Sequence, residues 1–180
     1  MGKKLPALTE KLIAFIAEQD LFFVGTAQAD GRVNISPKGL DTLHILNENE
    51  LIWLNLTGSG NETAAHLLSE NRMTIMFCSF DKNPLILRIY GNAEVYHERD
   101  AEFEQYLTHF KDFPGARQIF KLHIDLVQTS CGFGVPLMEF ENNRETLNVW
   151  SENKGETGII KYWKDKNQTT IDGFKTGIFE

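Results

Sequence analysis

The stretch Thr57-Gly58-Ser59-Gly60-Asn61-Glu62-Thr63 has the residue types that hold an anion. Gly58 and Gly60 let the backbone approach a ligand, and Ser59, Asn61 and Thr63 add short polar side chains. An apolar run, Leu51, Ile52, Trp53 and Leu54, leads in, and a helix-compatible segment opens at Glu62. A helix start presents N–H groups without internal partners, and its dipole favours negative charge there. The same residues also describe an ordinary N-cap after an ordinary loop. No Gly-Lys-Ser/Thr follows, which excludes a P-loop. The third glycine and the βαβ unit of a dinucleotide fingerprint are missing as well.

Asn34-Ile35-Ser36-Pro37-Lys38 is a second candidate. In an extended chain Val33 and Ile35 take one face, and Arg32, Asn34 and Ser36 take the other. Lys38 joins the polar face if the chain stays extended through Pro37. A hydroxyl and a mobile ammonium at a strand end suit an anion; the alternative is the solvated edge of a hairpin. Arg88 sits between Leu87 and Ile89 and needs an anionic partner or a place at a rim. Cys131 is followed by glycine in Ser130-Cys131-Gly132-Phe133-Gly134, but no basic residue nearby activates it as a nucleophile. The five histidines lack metal-ligand spacing, so no metal site is expected.

The elements that position these residues are mostly strands. Residues 8–19 have helical apolar spacing, with Thr9 as a candidate cap. Residues 21–28 read as a strand that turns back at Asp30-Gly31, a strong hairpin signal. Residues 42–46 and 50–56 form a second hairpin across Asn47-Glu48-Asn49. The helix over 62–69 is expected to bury Ala64, Leu67 and Leu68 and to hold His66 at its rim. Residues 73–80 are apolar on both faces and read as a central strand. Residues 85–97 alternate, with Leu87 and Ile89 inward, Arg88 outward, and a bulge expected at Gly91. A helix over 100–110 precedes a strand over 118–128 with Phe120, Leu122, Ile124 and Leu126 inward. Residues 144–166 read as helical with a break at Gly155, and a turn-rich, partly apolar tail ends the chain.

The chain has 180 residues, enough for one domain with an extension, and 24% charged residues, ordinary for a folded protein. Its formal net charge of −7 argues against nucleic acid as a partner. No apolar run reaches membrane-spanning length and no signal peptide is evident, so a cytoplasmic, non-membrane protein is expected. Cys78 and Cys131 then read as free thiols.

Hairpin-linked strands without βαβ alternation imply a mainly β fold with peripheral helices, a closed or partly closed antiparallel barrel. Several segments, in order, carry a resemblance. They are Phe23-Val24-Gly25-Thr26-Ala27, Asn34-Ile35-Ser36-Pro37-Lys38-Gly39, the loop 57–63, Asn71-Arg72-Met73-Thr74-Ile75-Met76-Phe77, Leu87-Arg88-Ile89-Tyr90-Gly91, and Ser130 through Pro136. The chain resembles the FMN-binding split-barrel proteins related to pyridoxamine 5′-phosphate oxidase, and looks closest to an uncharacterised bacterial branch.

The resemblance implies a six-stranded antiparallel split β-barrel over residues 1–140, with a C-terminal helical extension over 141–180 that packs on the barrel or on a dimer partner. It implies FMN as cofactor, held at a homodimer interface, with Ser36, Lys38, Ser59, Asn61 and Thr63 at the phosphate. Thr57 would approach the ribityl chain or ring edge, and Arg88 would lie near the cofactor, across the interface. The oxidase carries an Arg-Lys pair where this chain has Glu62-Thr63, and its C-terminal arginine- and histidine-bearing motif has no counterpart here. The resemblance therefore does not carry pyridoxamine phosphate oxidation with it. The expected function is an FMN-dependent oxidoreductase acting on a small substrate, with no catalytic side chain nominated. The alternatives are a non-catalytic flavin or haem binder or sensor, or a deazaflavin-dependent reductase on the same barrel.

Overall fold

The computed structural model describes residues 2–180. Met1, where the expected barrel domain begins, lies outside the described residues. In chain order the elements are β1 (Lys4–Leu5), α1 (Glu10–Ala17), β2 (Phe22–Thr26), β3 (Asn34–Lys38), β4 (Leu43–Asn47), β5 (Glu50–Leu56), α2 (Glu62–Ser69), β6 (Arg72–Cys78), β7 (Ile86–His97), α3 (Ala101–Leu107), β8 (Ala116–Ser130) and α4 (Thr146–Lys166). The strands form one antiparallel sheet in the order β3-β2-β6-β7-β8-β5-β4, with β1 paired to β8. β3 and β4 end the path unpaired with each other among the described residues, so the barrel is split. Among the described residues the sheet has eight strands, counting short β1. Lys4–Leu5 is too short to carry a periodic signal, and long β8 pairs with β1, β5 and β7 at once.

The curled sheet encloses a core of Val24, Trp53, Ile75, Phe77, Ile89 and Leu122, among others. A second cluster, Ile52, Leu54 and Ile119 with Phe103 and Phe113, lies on the other face of β5 and β8 and is covered by α3. Ile159 and Trp163 of α4 pack with Ile178 of the tail in a third.

Local signals map onto this frame closely. Thr9 caps α1, its hydroxyl accepting the Leu12 N–H. α4 breaks at Gly155, whose φ of 62° suits glycine. The β7–β8 ladder slips between Tyr90 and Gly91, and a Cβ at Gly91 would lie 1.9 Å from the His123 carbonyl oxygen. That bulge also corrects the reading of β8. Asp125 is the extra residue, so the inward alternation passes from Ile124 to Val127 and Leu126 turns outward.

Two further expectations change. His66 is buried rather than at a rim, because α2 is covered on nearly every side; its Nδ1 lies 3.0 Å from the Thr26 hydroxyl. Leu68 is exposed instead of buried. No helix among the described residues is long and apolar enough to cross a membrane.

Candidate functional site

β3 is an edge strand paired only with β2, where a proline costs no ladder bond. It therefore stays extended through Pro37, and Asn34, Ser36 and Lys38 share one face. Leu40 and Asp41, both with φ near 60° (63° and 61°), then turn the chain into β4. The polar face of β3 and the loop between β5 and α2 bound a cavity of about 350 Å³. Ser36 and Lys38 line it from β3, Ser59 and Asn61 from the loop, and Thr63 from the first turn of α2. Five of the seven expected site residues thus meet. The hydroxyl of Thr63 accepts from the Asn34 amide and the Thr26 hydroxyl, both at 3.4 Å, which ties α2 to β2 and β3.

Thr57 is not brought to this cavity. It is buried behind the loop, where its hydroxyl donates to the Gly115 carbonyl at 2.8 Å and accepts the indole N–H of Trp163, also at 2.8 Å. Arg88 is not brought there either. It lines a separate cleft with Phe23, Thr74, Met76, Val33 and Ile35, on the opposite face of β3 from Lys38. Its guanidinium donates to the Ser130 hydroxyl at 3.0 Å. Val33 and Ile35 are 68% and 69% exposed, so the apolar face of β3 is the open one and the polar face is turned in.

The residue that sequence reasoning missed is Arg117, at the start of β8 and only 3% exposed. The expected strand began one residue later, at Gln118. The available signal was that of Arg88, a guanidinium entering an apolar strand. Arg117 donates to the Asn167 side-chain oxygen at 2.8 Å and to the Gly60 carbonyl at 3.1 Å. No carboxylate lies within ion-pair distance of it among the described residues, and its Nε has no partner. Burial lowers its pKa to about 10, against the weaker opposing pull of Glu62 and Tyr162.

Half-buried Lys38 lies 5.0 Å above the Trp53 ring. Burial, and then the charge of Arg117, lower its ammonium to about 8. Glu62, the acid that lines the cavity, has its carboxylate engaged by the Ile171 N–H at 3.1 Å. Two cations therefore face one cavity without an ion-paired anion. Burying uncompensated charge is costly, and a guanidinium N–H left unpaired adds to the cost. An anionic ligand in the cavity offsets the charge penalty. The side-chain oxygen of Asn61 is buried without a donor among the described residues.

Neither cavity is lined by His or Cys. Cys131 is exposed and lines neither, and Cys78 is buried. Among the described residues no group of three or more His, Cys, Asp or Glu is placed to hold a metal ion.

Known proteins match this architecture. The family model of pyridoxamine 5′-phosphate oxidase matches residues 8–131. The pyridoxamine 5′-phosphate oxidase family protein ustO of Aspergillus flavus is 35% identical over 187 residues, spanning 93% of this chain and 74% of the relative. A crystal structure from Lactobacillus delbrueckii, of a candidate pyridoxamine 5′-phosphate oxidase, is 26% identical with a TM-score of 0.56, covering 69% of this chain and 98% of that one. A pyridoxamine 5′-phosphate oxidase-related, FMN-binding protein from Nostoc punctiforme superposes with a TM-score of 0.53 at 14% identity, over 72% of this chain and 87% of that one. At that identity the likeness speaks for the fold alone.

Proposed function

The chain belongs to the pyridoxamine 5′-phosphate oxidase family, and from that premise we propose that it is an FMN-dependent oxidoreductase acting on a small substrate. The observation that carries the reading is the pair of cations, Lys38 and Arg117, facing one cavity without an ion-paired anion. A phosphate monoester supplies that anion. Ser36 and Ser59 add hydroxyl donors.

When bound, the flavin supplies hydride or electron transfer. The protein's part is to hold the phosphate, orient the ring and exclude water. The lining residues offer no histidine or cysteine for acid–base or nucleophilic work, which suits chemistry carried by a cofactor. A homodimer completes the reading. Val33 and Ile35 form an open apolar strip beside Arg88, on the face away from the anion cavity. Arg88 of one copy therefore approaches a cofactor held by Lys38 only from a second copy.

The test is the absorbance spectrum of the purified protein and its titration with FMN and riboflavin. A yellow protein, or one that binds added FMN more tightly than riboflavin, is expected. A colourless protein that fails to bind FMN refutes the proposal. Stopped-flow mixing with reduced nicotinamide cofactors then tests the oxidoreductase part. A bound flavin that no donor reduces would leave a binding protein rather than an enzyme.

A further inference from the structure

The anion loop is held from behind by a segment that the family match, ending at residue 131, does not include. Asn167 follows α4 and is fully buried. Its side-chain amide donates to the Gly58 carbonyl at 3.1 Å and, more weakly, to the Ser59 carbonyl at 3.5 Å. Its side-chain oxygen accepts from Arg117, which in turn donates to the Gly60 carbonyl. Three successive carbonyls of the loop thus point at Asn167 and Arg117. In a trans peptide the C=O and the following N–H point in opposite directions. The N–H groups of Ser59, Gly60 and Asn61 are therefore turned away from these two side chains, in a loop whose residues line the cavity. None of the three has a protein acceptor among the described residues. Successive backbone N–H groups turned to one side form an anion-binding nest.

We propose that Asn167 is a positioning residue that builds this nest, so that preference for a phosphorylated flavin is set by the C-terminal extension as well as by the barrel. The inference rests on the FMN reading above. A neutral amide suits the position because it donates to carbonyls and accepts from Arg117 at once. An aspartate keeps the second contact, loses the first and neutralises the cation the ligand needs. Asn167 is fastened in turn. Its N–H donates to the Trp163 carbonyl, and its own carbonyl accepts the Thr176 hydroxyl at 2.6 Å. The Trp163 indole anchors Thr57 at the near end of the same loop.

FMN and riboflavin affinities of the full-length protein and of Asn167→Ala and Asn167→Asp test this. Asn167→Ala is expected to weaken FMN by about tenfold and riboflavin by less than about twofold, with Asn167→Asp weaker still for FMN. Equal loss for both flavins, or no loss for either, overturns the inference. A wild-type protein that binds the two flavins equally instead overturns the phosphate reading itself, so the two failures are distinct. If the variants do not fold, amide NMR of the wild-type protein decides. Inorganic phosphate is expected to shift the Ser59, Gly60 and Asn61 N–H signals, and unshifted signals at saturating phosphate overturn the nest.

Discussion

Raising the pH from 7 to 9.5 removes the Lys38 charge without changing a residue. Burial and the neighbouring Arg117 hold this ammonium at about 8 in the free protein, below the ordinary 10.5. A bound phosphate dianion favours the charged form and returns the group towards its ordinary value. The sign follows from linkage: binding takes up a proton wherever free Lys38 is neutral and bound Lys38 is charged, so affinity falls as pH rises through 8. With about 8 for the free group and 10.5 for the bound one, FMN affinity at pH 9.5 is about thirtyfold below that at pH 7, or about 2 kcal/mol. A phosphate monoester is already mostly dianionic at pH 7, so its own ionisation adds little to this window. Arg117, at about 10, stays mostly charged through it. The assay is fluorescence titration of FMN at half-unit pH steps, on wild type and Lys38→Met. Lys38→Met is expected to lose about 1.5–3 kcal/mol of FMN binding at pH 7 and to show a much flatter profile above pH 8. A flat wild-type profile between pH 7 and 9.5 refutes the placement of Lys38 against phosphate. So does the wild-type slope persisting undiminished in Lys38→Met.

Other outcomes follow from the same geometry. Gly91→Ala places a methyl 1.9 Å from the His123 carbonyl oxygen and is expected to cost about 3 kcal/mol or more in urea unfolding; a loss below about 1 kcal/mol would mean the bulge relaxes freely. His97 is buried and its pKa is lowered to about 4, mainly by burial, so the folded state resists protonation. Stability is then fully present above the unfolded value of 6.5 and falls by up to about 3 kcal/mol as pH drops from 6.5 to 4. Urea melts of wild type and His97→Gln at pH 7 and 4.5 check this, the variant being the less acid-sensitive. Ile35→Asp alters an exposed side chain, so the monomer fold is expected to survive while light scattering shows the dimer dissociating. A variant that stays dimeric moves the interface elsewhere.

Much of the cavity lining was legible because its parts are local. Alternation put Asn34, Ser36 and Lys38 on one face before any contact was known, and glycines beside a helix start marked the loop. What sequence reasoning left out depends on contacts between distant segments. Arg117 meets Asn167 and the loop carbonyls only after β8 pairs with β5 and α4 folds back. The Thr57 hydroxyl is engaged by the Trp163 indole, far along the chain, rather than lining the cavity. His66 reads as a rim residue until α2 is covered on nearly every side.

The sequence alone determined the period and punctuation of the chain: hairpins at Asp30-Gly31 and Asn47-Glu48-Asn49, the Gly91 bulge, the Gly155 break, and the two faces of β3. These depend on backbone sterics within a few residues, which the side chains carry with them. The tertiary structure decided which face is covered. A period of two is the same whichever side meets the core, so only packing shows that β3 turns its polar face in and leaves Val33 and Ile35 open. It also decided the charge balance of the cavity, because whether Lys38 and Arg117 find an internal counter-ion depends on the neighbours that long-range folding supplies.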